Sequence, residues 1–230
     1  MTLYLTLLLA FVGTRILLAA SPIREGLVAR LGERGFQGLY SVVALALLFG
    51  AIHVRGAVEP EPLWVAPVGI WHLAPLLMLV AAILLVGSLT PANKALPGVP
   101  QTGAPPSGVL RITRHPMMWA FAIWACVHAL VSGELRVVLL ACAIGFLALA
   151  GAAHQDVKKR RLLGDGWAIY EAQTSYWPLG AQLSGRQPWR ALWPGLVPVL
   201  GGILLFLLMT FLHPMLLNAP VVPPWGFLGR

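Results

Sequence analysis

Residues 116–153, PMMWAFAIWACVHALVSGELRVVLLACAIGFLALAGAA, decide the fold. Between Pro116 and Ala153 the charged residues are Glu134 and Arg136, and both follow Gly133 at the centre of the stretch. Two apolar runs therefore meet at one polar tip. Each approaches the roughly 20 residues that a helix needs to cross the hydrocarbon of a bilayer. Gly133 provides a stop for the first helix and Glu134 a start for the second. Pro116 has no N–H to satisfy, so it fits the first helical position. The stretch predicts a tight helical hairpin over 116–131 and 135–153.

Further apolar runs lie outward from the hairpin, at roughly 2–20, 36–57, 70–90 and 192–213. The expected class is all-α, a polytopic transmembrane helix bundle of about six helices. Composition agrees, since 58% of the 230 residues are hydrophobic and 10% are charged, against about 25% charged in soluble domains. The amino terminus, MTLYLTLLLAFVGTR, has no basic segment ahead of its apolar run. It is read as a retained first helix rather than a cleaved signal. Cys126 and Cys142 both fall inside apolar runs, which points away from a disulfide framework or a zinc site. No P-loop, dinucleotide fingerprint or hydrolase triad is present.

The net charge of +8 raises the question of nucleic acid. The basic residues border apolar segments, so they are assigned to topology and to anionic lipid. Arg24, Arg30 and Arg34 follow the first run, and Lys94, Arg111 and Arg114 follow the third. Lys158, Lys159, Arg160, Arg161, Arg186 and Arg190 follow the fifth. The opposite loops hold Arg55, Arg136 and Arg230. The positive-inside rule then predicts a multi-pass inner-membrane protein with both termini on the outer, periplasmic side. Residues 91–108 are rich in Pro and Gly and read as a lid or binding loop. Residues 154–190 hold a basic amphipathic run, in which Leu162, Leu163, Trp167 and Tyr170 are expected to face headgroups.

Depth sorts the histidines into two layers. Along helices rising about 1.5 Å per residue, His53, His72, His128 and His213 fall near the outer ends. His115 and His154 fall at the cytoplasmic ends. An ionisable side chain in lipid faces the bundle or water and is a functional candidate by default; contact with headgroups is the alternative for His53 and His213. Phe121, Trp124 and His128 share one helix face, a surface suited to a planar ligand or to an aromatic core. His115 is on the same helix as His128 but roughly 20 Å away and turned nearly to the opposite side, so the two cannot share one ion. A partner for His128 comes from another helix, with His72 favoured and His53 next. At the inner layer, Arg111, Arg114 and the N-terminus after Pro116 make an anion-binding corner. Asp156 is placed to orient an imidazole or pair with an arginine.

The segments LVARLGERGFQGLYSVVALALL (27–48), WHLAPLLMLVAAILLV (71–86), GVLRITRHPMMWAFAIWACVHAL (108–130) and DVKKRRLLGDGWAIYEAQTSYWPL (156–179) together resemble the NnrU family of bacterial integral membrane proteins. The resemblance covers residues 1–190, a membrane domain of five helices and a cytoplasmic interfacial segment. Residues 191–230 read as an additional carboxy-terminal helix and tail. The resemblance implies a link to denitrification, through nitrite and nitric oxide metabolism. It also implies kinship with the 15-cis-zeta-carotene isomerases, membrane haem b proteins with histidine ligation that act in a redox-dependent way on a polyene. One ligand histidine of that family is matched by His128, beyond Trp124; the cysteine near it is matched only with an offset of one by Cys126. The other ligand arises from Gly-x-His in the first helix, where this chain reads Gly13-Thr14-Arg15. A guanidinium offers no lone pair to iron, so either His72 or His53 substitutes or the chain has no bis-histidine haem.

A more distant resemblance, through Arg114-His115-Pro116, Gly164, Trp167, Tyr170 and Pro178, is to the isoprenylcysteine and phospholipid methyltransferases, with Gln155-Asp156 where those carry paired Glu. It implies an S-adenosylmethionine site near Arg114, His115 and Asp156. The leading expectation is a haem b site at His128 and His72, flanked by Trp124, serving a small or apolar substrate; a methyltransferase and a non-catalytic lipid-binding scaffold are the alternatives. Membrane lipids are the expected partners, and nucleic acid is not.

Overall fold

The structure, a computed structural model, describes residues 1–19, 22–90 and 105–217. Eight α-helices are present among them: α1 (Thr2–Ala19), α2 (Pro22–Arg55), α3 (Val68–Ser88), α4 (Pro116–Ser132), α5 (Leu135–Leu163), α6 (Asp165–Gln173), α7 (Gly180–Leu183) and α8 (Leu196–Leu217). No strand occurs among the described residues. By length and composition α2, α3, α5 and α8 can cross a membrane, and α1 and α4 are shorter apolar helices. Large side chains such as Leu9, Leu204 and Phe211 stand exposed on the helix faces, a surface that lipid covers at no hydrophobic cost and water does not. The chain is an all-helical, multi-pass membrane protein.

The hairpin forms as its residues dictate. Gly133 caps α4 in the left-handed region at φ 62° and Glu134 is the N-cap of α5. Residues 61–64 lace this tip: the Leu63 N–H donates to Gly133 O at 2.7 Å, the Leu135 N–H to Glu61 O at 2.9 Å, and Trp64 Nε1 to Leu130 O at 3.0 Å.

The helices stand in a row. α2 packs on α1, α1 on α5, α5 on α4, α4 on α3, and α3 on α8. Two apolar cores result. Tyr4, Leu8, Ala51, Val58 and Leu140 join α1, α2 and α5; Ala81, Leu84, Val109 and Ala120 join α3, α4 and the 3-10 turn Gly108–Arg111. Small residues set the closest approaches, as lipid-embedded helices require for tight packing. A Cβ on Gly202 of α8 would stand 2.6 Å from Ile83 Cγ1 and 2.7 Å from its Cα. Gly202→Val is therefore expected to part α8 from α3 and to cost about 1–3 kcal/mol. Thermal unfolding in detergent checks this, and an unchanged midpoint refutes it.

Two expectations are corrected. The basic segment with Arg24, Arg30 and Arg34, read as a loop before a helix at 36, is part of α2, which begins at Pro22 and bends at Gly32, where φ is 70° and ψ 166°. Likewise α5 continues ten residues past 153, carrying Lys158 to Arg161 out of the apolar region. Charge density marks where a helix leaves lipid, and the backbone hydrogen bonds go on beyond it. The Pro- and Gly-rich stretch read as a lid lies, over 91–104, outside the described residues.

Candidate functional site

The inner layer is built on Asp156 near the end of α5. Arg114 grips this carboxylate through Nε at 3.0 and 2.9 Å and through Nη2 at 2.6 Å. His115 Nε2 donates to its Oδ1 at 2.7 Å. Arg114 Nη2 also reaches Glu171 of α6 at 3.1 Å, and Arg160 holds the same carboxylate from outside at 2.7 Å. All three members of the inner triad are buried. Asp156 thus does both things expected of it, orienting an imidazole and pairing an arginine.

The backbone around this triad is tied just as closely. The Arg114 N–H donates to Ser175 O at 2.9 Å, Thr113 Oγ1 to Tyr176 O at 2.7 Å, and Trp119 Nε1 to Tyr176 O at 2.8 Å. The Tyr176 hydroxyl donates to Leu149 O of α5 at 2.7 Å. Residues 165–183 are therefore folded onto the bundle end. Trp167 and Tyr170, expected to face headgroups, are instead buried with their rings 5.1 Å apart. The reason is local: Gly164 turns the chain at φ 50°, and α6 brings Glu171 onto Arg114 of the Arg114–Asp156 pair. Burial raises the pKa of the Tyr170 hydroxyl and, less deeply, that of Tyr176. Both remain protonated phenols at neutral pH.

This layer is charge-balanced by the chain itself. The guanidinium expected to meet an anion is spent on Asp156 and Glu171, and Arg111 Nε donates to Pro106 O at 3.0 Å. Two buried polar atoms here, His115 Nδ1 and Trp167 Nε1, have no hydrogen-bond partner among the described residues. His154 is exposed on α5.

The outer layer is built on His128, one turn before the end of α4. Its ring stacks on Trp124, with centroids 4.1 Å apart and planes 24° from parallel. The i, i+4 spacing produces this overlap. Its Nδ1 lies 2.9 Å from the Trp124 carbonyl oxygen, which can only accept, so Nδ1 carries the proton and Nε2 keeps the lone pair. Metal-ligating histidines are commonly held this way, with the far nitrogen tied to a carbonyl. Phe121, on the same face, is exposed.

The ring beside His128 is that of His213, on α8, with centroids 6.1 Å apart and planes at 41°. His72, the favoured partner from sequence, is exposed on α3. It lies at the same level, because α3 and α8 are antiparallel with Gly202 against Ile83; His213 stands eleven residues after Gly202 and His72 eleven residues before Ile83. Depth was legible for all three histidines, and helix rotation, which chooses between them, was not. Arg15 of α1 lies with its Cζ 4.5 Å over the Tyr40 ring. The Tyr40 hydroxyl donates to Arg15 O at 3.1 Å. Among the described residues no cluster of three or more His, Cys, Asp or Glu is placed to hold a metal ion. Both cysteines are unpaired and exposed.

Comparison with known proteins adds three findings. A family model described as "NnrU protein" matches residues 3–221, a span that takes in α8. The 15-cis-zeta-carotene isomerase, chloroplastic, of Zea mays is 34% identical over 83 residues, which are 35% of this chain and 22% of the relative. The Arabidopsis thaliana protein of the same name is 32% identical over 83 residues, with the same shares. The match thus spans about a fifth of the length of these relatives. No solved structure matches the chain.

Proposed function

Because the chain belongs to the NnrU family, and because relatives of part of it are named as isomerases of a carotene, we propose that this membrane protein is an isomerase-type enzyme. Its substrate is apolar and dissolved in the bilayer, and its cofactor is haem b held between helices at His128. The observation that carries the reading is the His128 imidazole, fixed by Trp124 on one nitrogen and presenting the other as an electron-pair donor in an apolar layer. The donor chemistry suits haem iron, for which histidine is a common ligand. When bound, haem supplies a one-electron redox centre. The side chains supply the rest: Trp124 orients the ligand ring, and the lipid-exposed faces of α3, α4 and α8 give an apolar substrate a path that never crosses water.

The protein sits in the inner membrane with both termini outside and the Arg114–Asp156 layer at the cytoplasmic surface, as the basic loops favour. Methyl transfer is disfavoured, since the arginine that would meet S-adenosylmethionine is bonded inward to two carboxylates.

The test is isomerisation itself. Protein purified in detergent, loaded with haem and placed in liposomes with a cis-polyene carotenoid, is expected to shift the cis-to-trans ratio on chromatography once haem is reduced. A ratio identical to that of protein-free liposomes, for a panel of polyenes, removes the isomerase reading. Calorimetric binding of S-adenosylmethionine by the same preparation replaces it with the alternative.

A further inference from the structure

We propose that His213 of α8 is the second axial ligand of the iron held by His128, so that this chain closes its haem site from the carboxy-terminal helix. The proposal rests on the haem reading above and adds to it the identity of the missing ligand.

The first argument is separation. Two imidazoles bound to opposite sides of one metal, each through a bond of about 2 Å, have ring centres roughly 6 Å apart; the His128 and His213 centres are 6.1 Å apart. The second is the space around them. α4 and α8 both pack on α3 and make no extended contact with each other among the described residues. They stand on either side of α3, and each carries one of the two imidazoles near its carboxy-terminal end. A planar macrocycle enters between them edge-on, with one face turned to each. The third is how α8 is held. Gly201 and Gly202 seat it tightly on α3, where an added Cβ would come within 2.8 Å of Val86 and 2.6 Å of Ile83. That contact fixes both the depth and the rotation of His213, and Pro214 follows it directly within the helix.

The arrangement also accounts for the absence of a histidine in α1. α1 packs on α2 and α5, so a ligand from it would have to reach past α5. The Arg15 side chain is engaged with Tyr40. A ligand from α8 leaves α1 free of any part in the site.

The experiment uses the full chain in detergent, reconstituted with hemin, and reads absorption and electron paramagnetic resonance spectra. The wild type is expected to give a low-spin, six-coordinate spectrum. His213→Ala is expected to retain haem and become high-spin, with added imidazole restoring the low-spin form. His213→Met, which keeps a ligating side chain, is expected to stay six-coordinate with a shifted spectrum. If His213→Ala keeps the wild-type low-spin spectrum while His72→Ala loses it, His72 is the ligand; the assignment of His213 fails and the haem reading survives. If the wild type takes up no hemin, both fail together. A His213→Ala protein that precipitates is replaced by His213→Gln, for which the same high-spin conversion is required.

Discussion

Asp156→Ala is expected to destabilise the protein by about 3–5 kcal/mol, the range for removing one partner of a buried ion pair. The magnitude follows from what is left behind. Arg114, 7% exposed, would retain Glu171 alone, and that carboxylate is shared with Arg160. His115 Nε2, which now donates at 2.7 Å, would join Nδ1 as a second buried polar atom without a partner. Asp156→Asn keeps the shape but loses the charge, and is expected to fall between wild type and alanine. Arg160→Ala is the contrast: it removes an ion pair from the exposed side of Glu171, and such pairs contribute little. Chemical unfolding in mixed micelles measures all three. Equal stability of Asp156→Ala and Arg160→Ala would show that the triad is solvated and that the inner layer is no clamp.

His128→Ala is expected to abolish haem uptake, and His115→Ala to leave the haem spectrum unchanged in the protein that folds. The two histidines occupy one helix, yet they answer to different layers. His128 offers a lone pair at Nε2, while His115 has its Nε2 bound to Asp156. Trp124→Ala is expected to retain haem with weaker affinity, because the carbonyl that fixes the imidazole belongs to the backbone and only the stacking face is lost. Titration of each variant with hemin, followed at the Soret band, gives the comparison. Loss of the band on His115→Ala with retention on His128→Ala would place the cofactor at the opposite end of the helix. The expected effect is largest for His128, because its imidazole is held in place by the Trp124 carbonyl and the stacked Trp124 ring.

The sequence revealed the apolar helices, the turn at Gly133 and the start of α4 at Pro116, because each rests on a local rule. Apolar length, a left-handed glycine and a proline without an N–H need no knowledge of neighbours. It also revealed the link from Asp156 to Arg114 and His115, since charged groups at a common depth must neutralise one another. What it hid depends on rotation and on return of the chain. Trp167 and Tyr170 look amphipathic beside a basic run, and nothing local says that Gly164 folds them back over the bundle end. His213 looked like a headgroup residue because its neighbour is 85 residues earlier in the chain. The pattern of α8 is apolar on every side, so no stripe marks the face that meets α3. The close Gly201–Gly202 pair was the available signal, since adjacent small residues mark the side on which a membrane helix is approached.

The row of helices has a mechanical consequence. Among the described residues its two apolar cores adjoin where α4 lies against α5, and small residues meet there: a Cβ on Gly145 would stand 3.1 Å from that of Ala125. Ala125 is one residue after Trp124 and three before His128. α4 is thus a lever with its fulcrum on the seam and its load at the outer imidazole. A bulkier side chain at Gly145 would touch no part of the histidine layer, yet it would tip that end of α4 and alter the distance to α8. The spacing of the histidine layer can therefore be set by residues that face the other half of the molecule.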